Sequence, residues 1–363
     1  MTREEVHDEA LKAIKKEKRA GLALATGVGK TLVALKHMDS IPNILTKKVL
    51  VVAPKKSIIQ SWKDEAEKFN MFYLMNVVTF STYRSLNKLN PKDYNIVYFD
   101  ECHSLLENHT VFLNRYNGKI IGLTGTPPKN EYSENYSMVY RFCPMVYQYV
   151  VDNAINDNIL NDYKIIVHEL KLSNLRNVEV KTKNKSFYTS EVANYDYWTE
   201  RIEREGGYMM RIMRMKAMMT FPSKEKYAKL LLNTIRSKCI IFANTKEQAE
   251  RLCINSYHST NSESEINLNL FKKGEILKLS CVQQLNEGVN IPELKQGIIM
   301  HSYGNEKQAS QKIGRLLRLN PDDTSVVHIL CYKETADQEW VTKALEGFDR
   351  NKISWVDYNI KLD

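Results

Sequence analysis

The sequence predicts an α/β fold with two parallel-sheet domains. Short runs of apolar and β-branched residues alternate with helical segments along the chain. These runs are uniformly apolar rather than alternating, which is typical of strands covered on both faces. They fall into two sets, and at about 150 residues per domain a chain of 363 residues is long enough for two domains.

The strands of the first set are predicted at LALA 22–25, VLVVA 49–53, NVVTF 76–80, NIVYF 95–99 and KIIGL 119–123. Those of the second set are predicted at KIIVHEL 164–170, KCIIFA 238–243, ILKLS 276–280, GIIM 297–300 and SVVHIL 325–330. A polar, Asn-rich stretch at 150–163 separates the sets. We therefore expect domain 1 over 1–155, a crossover and the first strand of domain 2 over 156–170, a helical insert over 171–220, the rest of domain 2 over 221–333, and a C-terminal helix and tail over 334–363.

Composition excludes several classes of protein. Hydrophobic residues make up 43% of the chain and charged residues 26%, which is ordinary for a folded globular protein and unlike a disordered or fibrous one. No apolar run approaches the roughly 18 residues that span a bilayer, and the charged N-terminus lacks the apolar core of a secretory signal. We therefore expect a cytoplasmic protein without a membrane partner.

The cysteines and the net charge indicate less about the class of protein. None of the six cysteines forms a C-x-x-C pair, so zinc binding and a disulfide framework are poorly supported, and reduced thiols are expected. The net charge of +9 is compatible with a polyanionic partner, but many proteins without one have similar values.

The segment ATGVGKT at 25–31 has the features of a phosphate-binding loop. It follows a strand and opens a helix, so backbone N–H groups and a helix N-terminus would face an anion. Lys30 would reach the β- and γ-phosphates, and Thr31 would coordinate Mg²⁺. The first glycine of the full consensus is replaced by Leu24. The loop residues expected to bind nucleotide are Thr26, Gly27, Val28 and Gly29.

An acidic box follows the strand that ends in VYFD. Asp100 would lie at the carboxyl end of a parallel strand, where it could hold Mg²⁺ directly or through water. Glu101 would orient and deprotonate the attacking water, and His103 fits a role in sensing the γ-phosphate. Taken singly, Asp100 could be a helix cap and His103 a surface histidine, but their occurrence with ATGVGKT favours the catalytic interpretation.

Two further segments carry polar side chains of interest. In GLTGTPPK, Thr124 and Thr126 could couple the acidic box to a bound strand or to the second domain, although alone this would be an ordinary turn. In QKIGRLLR, the spacing places Gln311, Arg315 and Arg318 near one helical face. Guanidinium groups suit γ-phosphate charge, so an arginine finger is expected; the alternative is an exposed basic face.

The segment 171–220 carries ten Lys/Arg against six Asp/Glu, and its stretch YMMRIMRMKAMM holds six of the thirteen methionines. A buried interdomain helix is the favoured interpretation, and a Met-rich binding surface is the alternative. The arginines at 201, 204, 211 and 214 could face a nucleic-acid backbone, or they could be solvated or paired within the protein.

Taken in order, these segments resemble the motifs of superfamily 2 helicases. ATGVGKT resembles motif I, VVAPKKSIIQSW motif Ia, VVTFSTYRSL motif Ib, DECH motif II and GLTGTPPK motif III. KCIIFANTKEQAERL resembles motif IV, VQQLNEGVNIPEL motif V and QKIGRLLR motif VI. The resemblance implies two RecA-like domains, ATP and Mg²⁺ in the cleft between them, and a nucleic-acid strand across their top.

The resemblance also assigns roles by position. Gly288 and Asn290 would lie near the nucleotide, although the family usually has Asp where Asn290 stands. The segment Arg3–Ala10 resembles the adenine-reading Q motif, with His7 in place of the usual glutamine. Contacts to the phosphates of the strand are expected from Lys55, Ser81 and Thr82 in one domain and from Thr245 and Gln284 in the other.

DEAD-box RNA helicases read DEAD and H-R-I-G-R at the positions of DECH and QKIGRLLR. The two motifs of this chain are more similar to the DExH branch, which includes recombination and repair helicases and restriction-enzyme motors. That similarity favours single-stranded or branched DNA as the partner, bound through phosphates without sequence preference. The compact motif core also resembles phage-encoded members, so a virus-encoded origin and replication or recombination partners fit, and a monomer is expected. An RNA-dependent ATPase is the alternative, and an adaptor without ATPase activity is disfavoured by the intact motifs.

Overall fold

The computed structural model describes residues 1–181, 185–282, 291–301, 323–346 and 348–357. These residues form two compact units: the first is Met1–Asp162 together with Asp323, and the second contains the remaining described residues. The change from one unit to the other at residue 162 lies inside the polar stretch 150–163. The six cysteines are free thiols, five of them buried.

The helices and strands are numbered in chain order among the described residues. The α-helices are α1 Arg3–Lys16, α2 Lys30–Asp39, α3 Lys56–Lys68, α4 Thr110–Leu113, α5 Glu134–Phe142, α6 Val151–Asn156, α7 Glu191–Glu205, α8 Tyr208–Met219, α9 Pro222–Thr234, α10 Lys246–Leu252, α11 Ser264–Lys273 and α12 Ala336–Ala344. The strands are β1 Arg19–Leu24, β2 Val49–Ala53, β3 Val78–Thr82, β4 Ile96–Asp100, β5 Lys119–Thr124, β6 Met145–Tyr149, β7 Asp162–Leu170, β8 Val178–Lys181, β9 Ser186–Thr189, β10 Cys239–Phe242, β11 Ser256–Tyr257, β12 Lys278–Cys281, β13 Gln296–Ile299, β14 Thr324–Tyr332 and β15 Ile353–Asp357.

The first unit contains a six-stranded sheet in the order β3-β2-β4-β5-β1-β6, with every neighbouring pair parallel. Strands β2 and β4 are buried at every position, which accounts for their uniformly apolar sequences. Because all strands run the same way, the carboxyl ends of β1, β4 and β5 meet at one edge. Asp100 is in register with Leu123, and Ala23 is in register with Thr124.

Helix α1 is fixed at its start by a capping box. The Thr2 side chain accepts a hydrogen bond from the Glu5 N–H, and the Glu5 carboxylate accepts one from the Thr2 N–H. The buried side of the helix consists of Val6, His7, Ala10 and Ile14. This face places an imidazole, within an otherwise apolar stripe, against the first unit.

The second unit contains a seven-stranded sheet in the order β11-β12-β10-β13-β14-β7-β15. The pairs β11–β12, β12–β10, β10–β13, β13–β14 and β7–β15 are parallel. Its core includes Phe221, Ile241, Ile298 and Leu330. These two sheets confirm the predicted α/β class with two parallel-sheet domains.

The segment 171–220 contains a short hairpin as well as helices. Strands β8 and β9 pair antiparallel, and helices α7 and α8 follow them. On α8 only Met218 is buried, and it joins the core of the second unit. Tyr208 and Met209 are exposed. The Met-rich helix is therefore not a fully buried element, because only its C-terminal end reaches the core.

Helices long and apolar enough to cross a bilayer do not occur in the described part of the chain.

Candidate nucleotide and metal site

The loop between β1 and α2 adopts backbone conformations that glycine permits. Gly27 has φ 98°, and Gly29, which caps α2, has φ 110°. A Cβ atom on Gly29 would lie 3.0 Å from Nε2 of His7. In loops with such conformations, the backbone N–H groups at the start of the following helix can face an anion. The loop therefore fits the phosphates of a nucleotide.

Lys30 lies at the bottom of this loop. Its Nζ donates a hydrogen bond to the carbonyl of Leu24, at 3.4 Å, at the end of β1. The turn after β5 packs directly against it, since a Cβ atom on Gly125 would lie 3.2 Å from Nζ and 3.0 Å from Oγ1 of Thr26. The segments that resemble motifs I and III are thus in contact, and only glycine fits at position 125 without displacing the ammonium group or the hydroxyl.

Asp100 ends β4 with a buried carboxylate, and both its side chain and its main chain accept hydrogen bonds from residues of other elements. Nε1 of Trp62 donates to Oδ2 at 2.8 Å, and the Tyr83 hydroxyl donates to the main-chain carbonyl at 2.8 Å. Burial, followed by the neighbouring charge of Glu101, raises the pKa of Asp100 to about 6, while Trp62 and Lys30 act in the opposite direction. A bound divalent cation would favour the ionised form, so the group suits Mg²⁺.

Glu101 has a backbone conformation that is unusual for a residue with a side chain. Its φ of 50° and ψ of 54° are left-handed, which costs about 1–2 kcal/mol for such a residue. The turn ends β4 abruptly and brings Oε2 of Glu101 to 3.3 Å from Nδ1 of His103. The predicted general base is therefore held by a strained turn at the sheet edge, and strain of this kind concentrates at functional sites.

The acidic box is joined to the turn after β5 by hydrogen bonds. Nδ1 of His103 lies 2.8 Å from Oγ1 of Thr124, which is fully buried, and the Thr126 N–H donates to the same oxygen at 3.1 Å. The buried Oγ1 of Thr126 has no partner among the described residues. The three residues assigned to coupling thus lie together beside Glu101; their coupling role stays a prediction.

His7 contacts the phosphate-binding loop itself. Its side chain is 2% exposed, and Nε2 lies 2.7 Å from the carbonyl of Val28. Since a carbonyl only accepts, Nε2 carries the proton in this contact. Burial lowers the pKa of His7, so the neutral imidazole is favoured. The sequence did not predict this contact, and the proposed reading of adenine by His7 stays a prediction.

The predicted strand contacts of the first unit lie at the same edge of the sheet. Ser81 and Thr82 end β3, in register with Val52 and Ala53 of β2, and the exposed Lys55 precedes α3. In the second unit, Oγ1 of Thr245 accepts a hydrogen bond from the Gln248 N–H and so caps α10. Outside the described residues lie the other candidates of the second domain: Gln284, Gly288, Asn290, Gln311, Arg315 and Arg318.

Two residues of the site were not selected from the sequence. Trp62 hydrogen-bonds Asp100, and Asn135 holds the chain after the acidic box by donating to the carbonyls of His103 and Leu105 at 2.8 Å and 3.2 Å. The sequence pattern of α3 could have identified Trp62 as a buried residue. Ile58, Trp62 and Ala66 are spaced by four and are all buried on one face of the helix. No comparable pattern marks Asn135.

Comparison with known proteins identifies matches to both halves of the chain. A family model described as type III restriction enzyme, res subunit, matches residues 2–129, and one described as helicase conserved C-terminal domain matches residues 222–320. The DNA 3'-5' translocase XPB2 of Sulfurisphaera tokodaii is 28% identical over 365 residues, covering 91% of this chain and 81% of the relative.

Two further similarities agree with these matches. Transcript termination protein A18 of Yaba monkey tumor virus is 24% identical, over 96% of this chain and 76% of the viral protein. The crystal structure of the Pyrococcus furiosus Hef helicase domain shares the fold, with a TM-score of 0.54 and 16% identity over 94% of this chain and 98% of that domain.

The fold and the site define a P-loop nucleotide hydrolase built on two parallel sheets. The ordered motifs and the two family models place the chain more narrowly: it belongs to superfamily 2 of the helicases and translocases, whose members couple ATP hydrolysis to action on nucleic acids.

Proposed function

We propose that this protein moves along DNA, or separates its strands, by hydrolysing ATP with Mg²⁺. The observation that carries the proposal is the juxtaposition at one sheet edge of the glycine-rich loop with Lys30, the buried Asp100 and the strained Glu101. Lys30 binds the β- and γ-phosphates, and Thr31 and Asp100 hold Mg²⁺, which when bound neutralises charge on the phosphate oxygens.

Glu101 acts on the water that attacks the γ-phosphate. A carboxylate at this place orients the water and accepts its proton, with the left-handed turn and the contact to His103 keeping it in position. His103 in turn contacts Thr124. A change at the γ-phosphate would therefore be transmitted through His103 and Thr124 to the turn that carries Thr126.

DNA is the substrate that the similarities favour. The relative XPB2 is named a DNA translocase. The DExH motifs resemble the branch that includes recombination and repair helicases and restriction-enzyme motors. Lys55, Ser81 and Thr82 in the first unit would contact the phosphates of one strand, together with Thr245 and Gln284 in the second. Contacts of this kind do not distinguish sequences, and their strength falls as salt is raised.

The test is ATP hydrolysis measured in parallel without polymer and with single-stranded DNA, duplex DNA, forked DNA and RNA. We expect DNA to stimulate hydrolysis more than RNA does. Stimulation by RNA alone would assign the protein to the RNA-dependent ATPases. This class is the second candidate, because the viral relative is named a transcript termination protein. Absence of hydrolysis under every condition would contradict the proposal.

A further inference from the structure

Trp62 touches the carboxylate that the proposed function assigns to Mg²⁺. It lies on α3, its side chain is fully buried, and its Nε1 donates a hydrogen bond to Oδ2 of Asp100 at 2.8 Å. We propose that Trp62 is a positioning residue that fixes the orientation of this carboxylate for the cation. The inference rests on the proposed function, in which Asp100 holds Mg²⁺.

The hydrogen bond removes the rotational freedom that a carboxylate otherwise keeps. The Tyr83 hydroxyl fixes the main chain of Asp100 through its carbonyl, and Trp62 fixes the side chain through Oδ2. When both the main chain and the side chain of Asp100 are fixed, the carboxylate presents its ligand oxygen in one geometry. Mg²⁺ requires a defined ligand geometry more strictly than larger cations do.

The indole is itself held by a buried aromatic network. It packs edge-on against Tyr98, with ring centroids 6.3 Å apart, and the Tyr98 hydroxyl lies 2.6 Å from Nδ1 of His37. His37 belongs to α2, the helix that also carries Thr31. The two residues proposed to hold the cation, Thr31 and Asp100, are therefore connected through helix α2 and three buried rings.

Metal affinity separates positioning from a merely structural role. We would titrate Mn²⁺ in the presence of ADP and follow free Mn²⁺ by electron paramagnetic resonance. Removing an outer partner of a metal ligand costs 10–100-fold in affinity, so Trp62→Phe should weaken Mn²⁺ binding by about 10-fold or more. ADP binding in EDTA should stay unchanged. The matched control is Trp340→Phe, because Trp340 packs on the core of the second unit.

The outcomes distinguish the inference from the function on which it rests. If Trp62 only filled space, folded Trp62→Phe would melt earlier but bind Mn²⁺ like the parent, and that result would overturn the inference. Asp100→Asn tests the metal site itself. A loss of Mn²⁺ affinity in Asp100→Asn but not in Trp62→Phe overturns the positioning role alone, whereas an unchanged affinity in Asp100→Asn overturns both.

A measurement on the parent protein covers the case in which Trp62→Phe does not fold. The sequence has four tryptophans, so the indole N–H resonances in a nitrogen-15 spectrum are few; Trp198→Phe, Trp340→Phe and Trp355→Phe identify that of Trp62 by exclusion. Adding Mg²⁺ to the ADP complex should shift this resonance, because the cation withdraws charge from the acceptor carboxylate. A resonance that Mg²⁺ leaves in place would refute the inference.

Discussion

Lys30 and Glu101 act on different states of the nucleotide, so their substitutions should differ in kind. Lys30→Ala removes an ammonium group that binds ground-state phosphates, and we expect weaker ATP binding. Glu101→Gln keeps the shape of the side chain but cannot accept the proton of water. Its ATP affinity should stay near that of the parent while turnover falls by about 10²–10⁴-fold. Equilibrium ATP binding and steady-state hydrolysis measure the two effects.

A melting curve of each variant shows that any loss is not unfolding. Hydrolysis by Glu101→Gln at the parental rate would remove Glu101 from the role of general base. The assignment of Lys30 would fail if Lys30→Ala bound ATP as tightly as the parent.

Single residues of the site could be predicted where they belong to a local pattern. Lys30 and Asp100 follow strands in segments whose chemistry shows in a few consecutive letters. The contacts of His7 with Val28 and of Trp62 with Asp100 join residues 21 and 38 positions apart. Such pairs depend on how a helix packs on the sheet, so the sequence indicates a buried face without naming the partner.

At the scale of elements, β7 and β14 contribute a buried histidine pair that makes stability depend on pH. Nε2 of His168 lies 2.9 Å from Nδ1 of His328, and burial lowers the pKa of each to about 4. In the unfolded chain a histidine takes up its proton near pH 6.5. The unfolded state therefore binds more protons as pH falls, and the free energy of unfolding should decrease from about pH 6.5 toward pH 4.

Denaturant unfolding at a series of pH values checks this, with His328→Gln beside the parent. The variant has one fewer titrating group. The slope of its free energy of unfolding against pH in this window should therefore be smaller, by the equivalent of up to one bound proton. Measurements at pH 8, where both histidines are neutral in either state, provide the control. Equal pH dependence of the two proteins would show that this pair does not govern acid stability.

Two arginines of the insert, Arg211 and Arg214, have different surroundings in the structure, which the sequence alone could not show. Arg214 donates to Oγ1 of Thr199 at 3.2 Å and lies over the ring of Tyr195, whereas Arg211 is exposed. We expect Arg211→Glu to weaken DNA binding for all sequences and to flatten the slope of log K against log salt by up to about one unit. Arg214→Glu should instead lower the melting temperature.

A salt titration of binding to fluorescent single-stranded and forked DNA, run beside melting curves, makes this comparison. Arg204→Glu is a useful third variant, because Arg204 already pairs with Glu205 on the surface. If Arg211→Glu kept the parental salt slope, α8 would have no part in the DNA interface.

The strands show which elements sequence reasoning recovers. Each of the ten predicted strands overlaps an observed one, since buried parallel strands are uniformly apolar. Strands β6, β11 and β15 were not predicted, because β6 and β15 are mostly not buried and so lack a uniformly apolar run, and β11 has only two residues. In β15, for example, Trp355 is in register with Val167 but remains 39% exposed. The short hairpin of β8 and β9 is missed for a similar reason.

At the scale of the whole molecule, the proposed function makes hydrolysis depend on both domains. The family resemblance assigns Arg315 and Arg318 to the γ-phosphate, although the Lys30 loop belongs to the first unit. We therefore expect Arg315→Ala and Arg318→Ala to bind DNA normally but to lose DNA-stimulated hydrolysis. An arginine finger is worth about 10³–10⁵ in rate where it has been measured. Parental hydrolysis by both variants would exclude an arginine finger from this segment.

Movement along DNA that is driven by ATP hydrolysis can be measured in a triplex-displacement assay. A third strand bound to duplex DNA is released when a motor passes through it, so release reports movement without requiring strand separation. We predict that the protein releases the strand with ATP and Mg²⁺, and that release stops with ADP and in Glu101→Gln. An intact triplex despite DNA-stimulated ATP hydrolysis by the parent protein would show that hydrolysis does not drive movement along DNA.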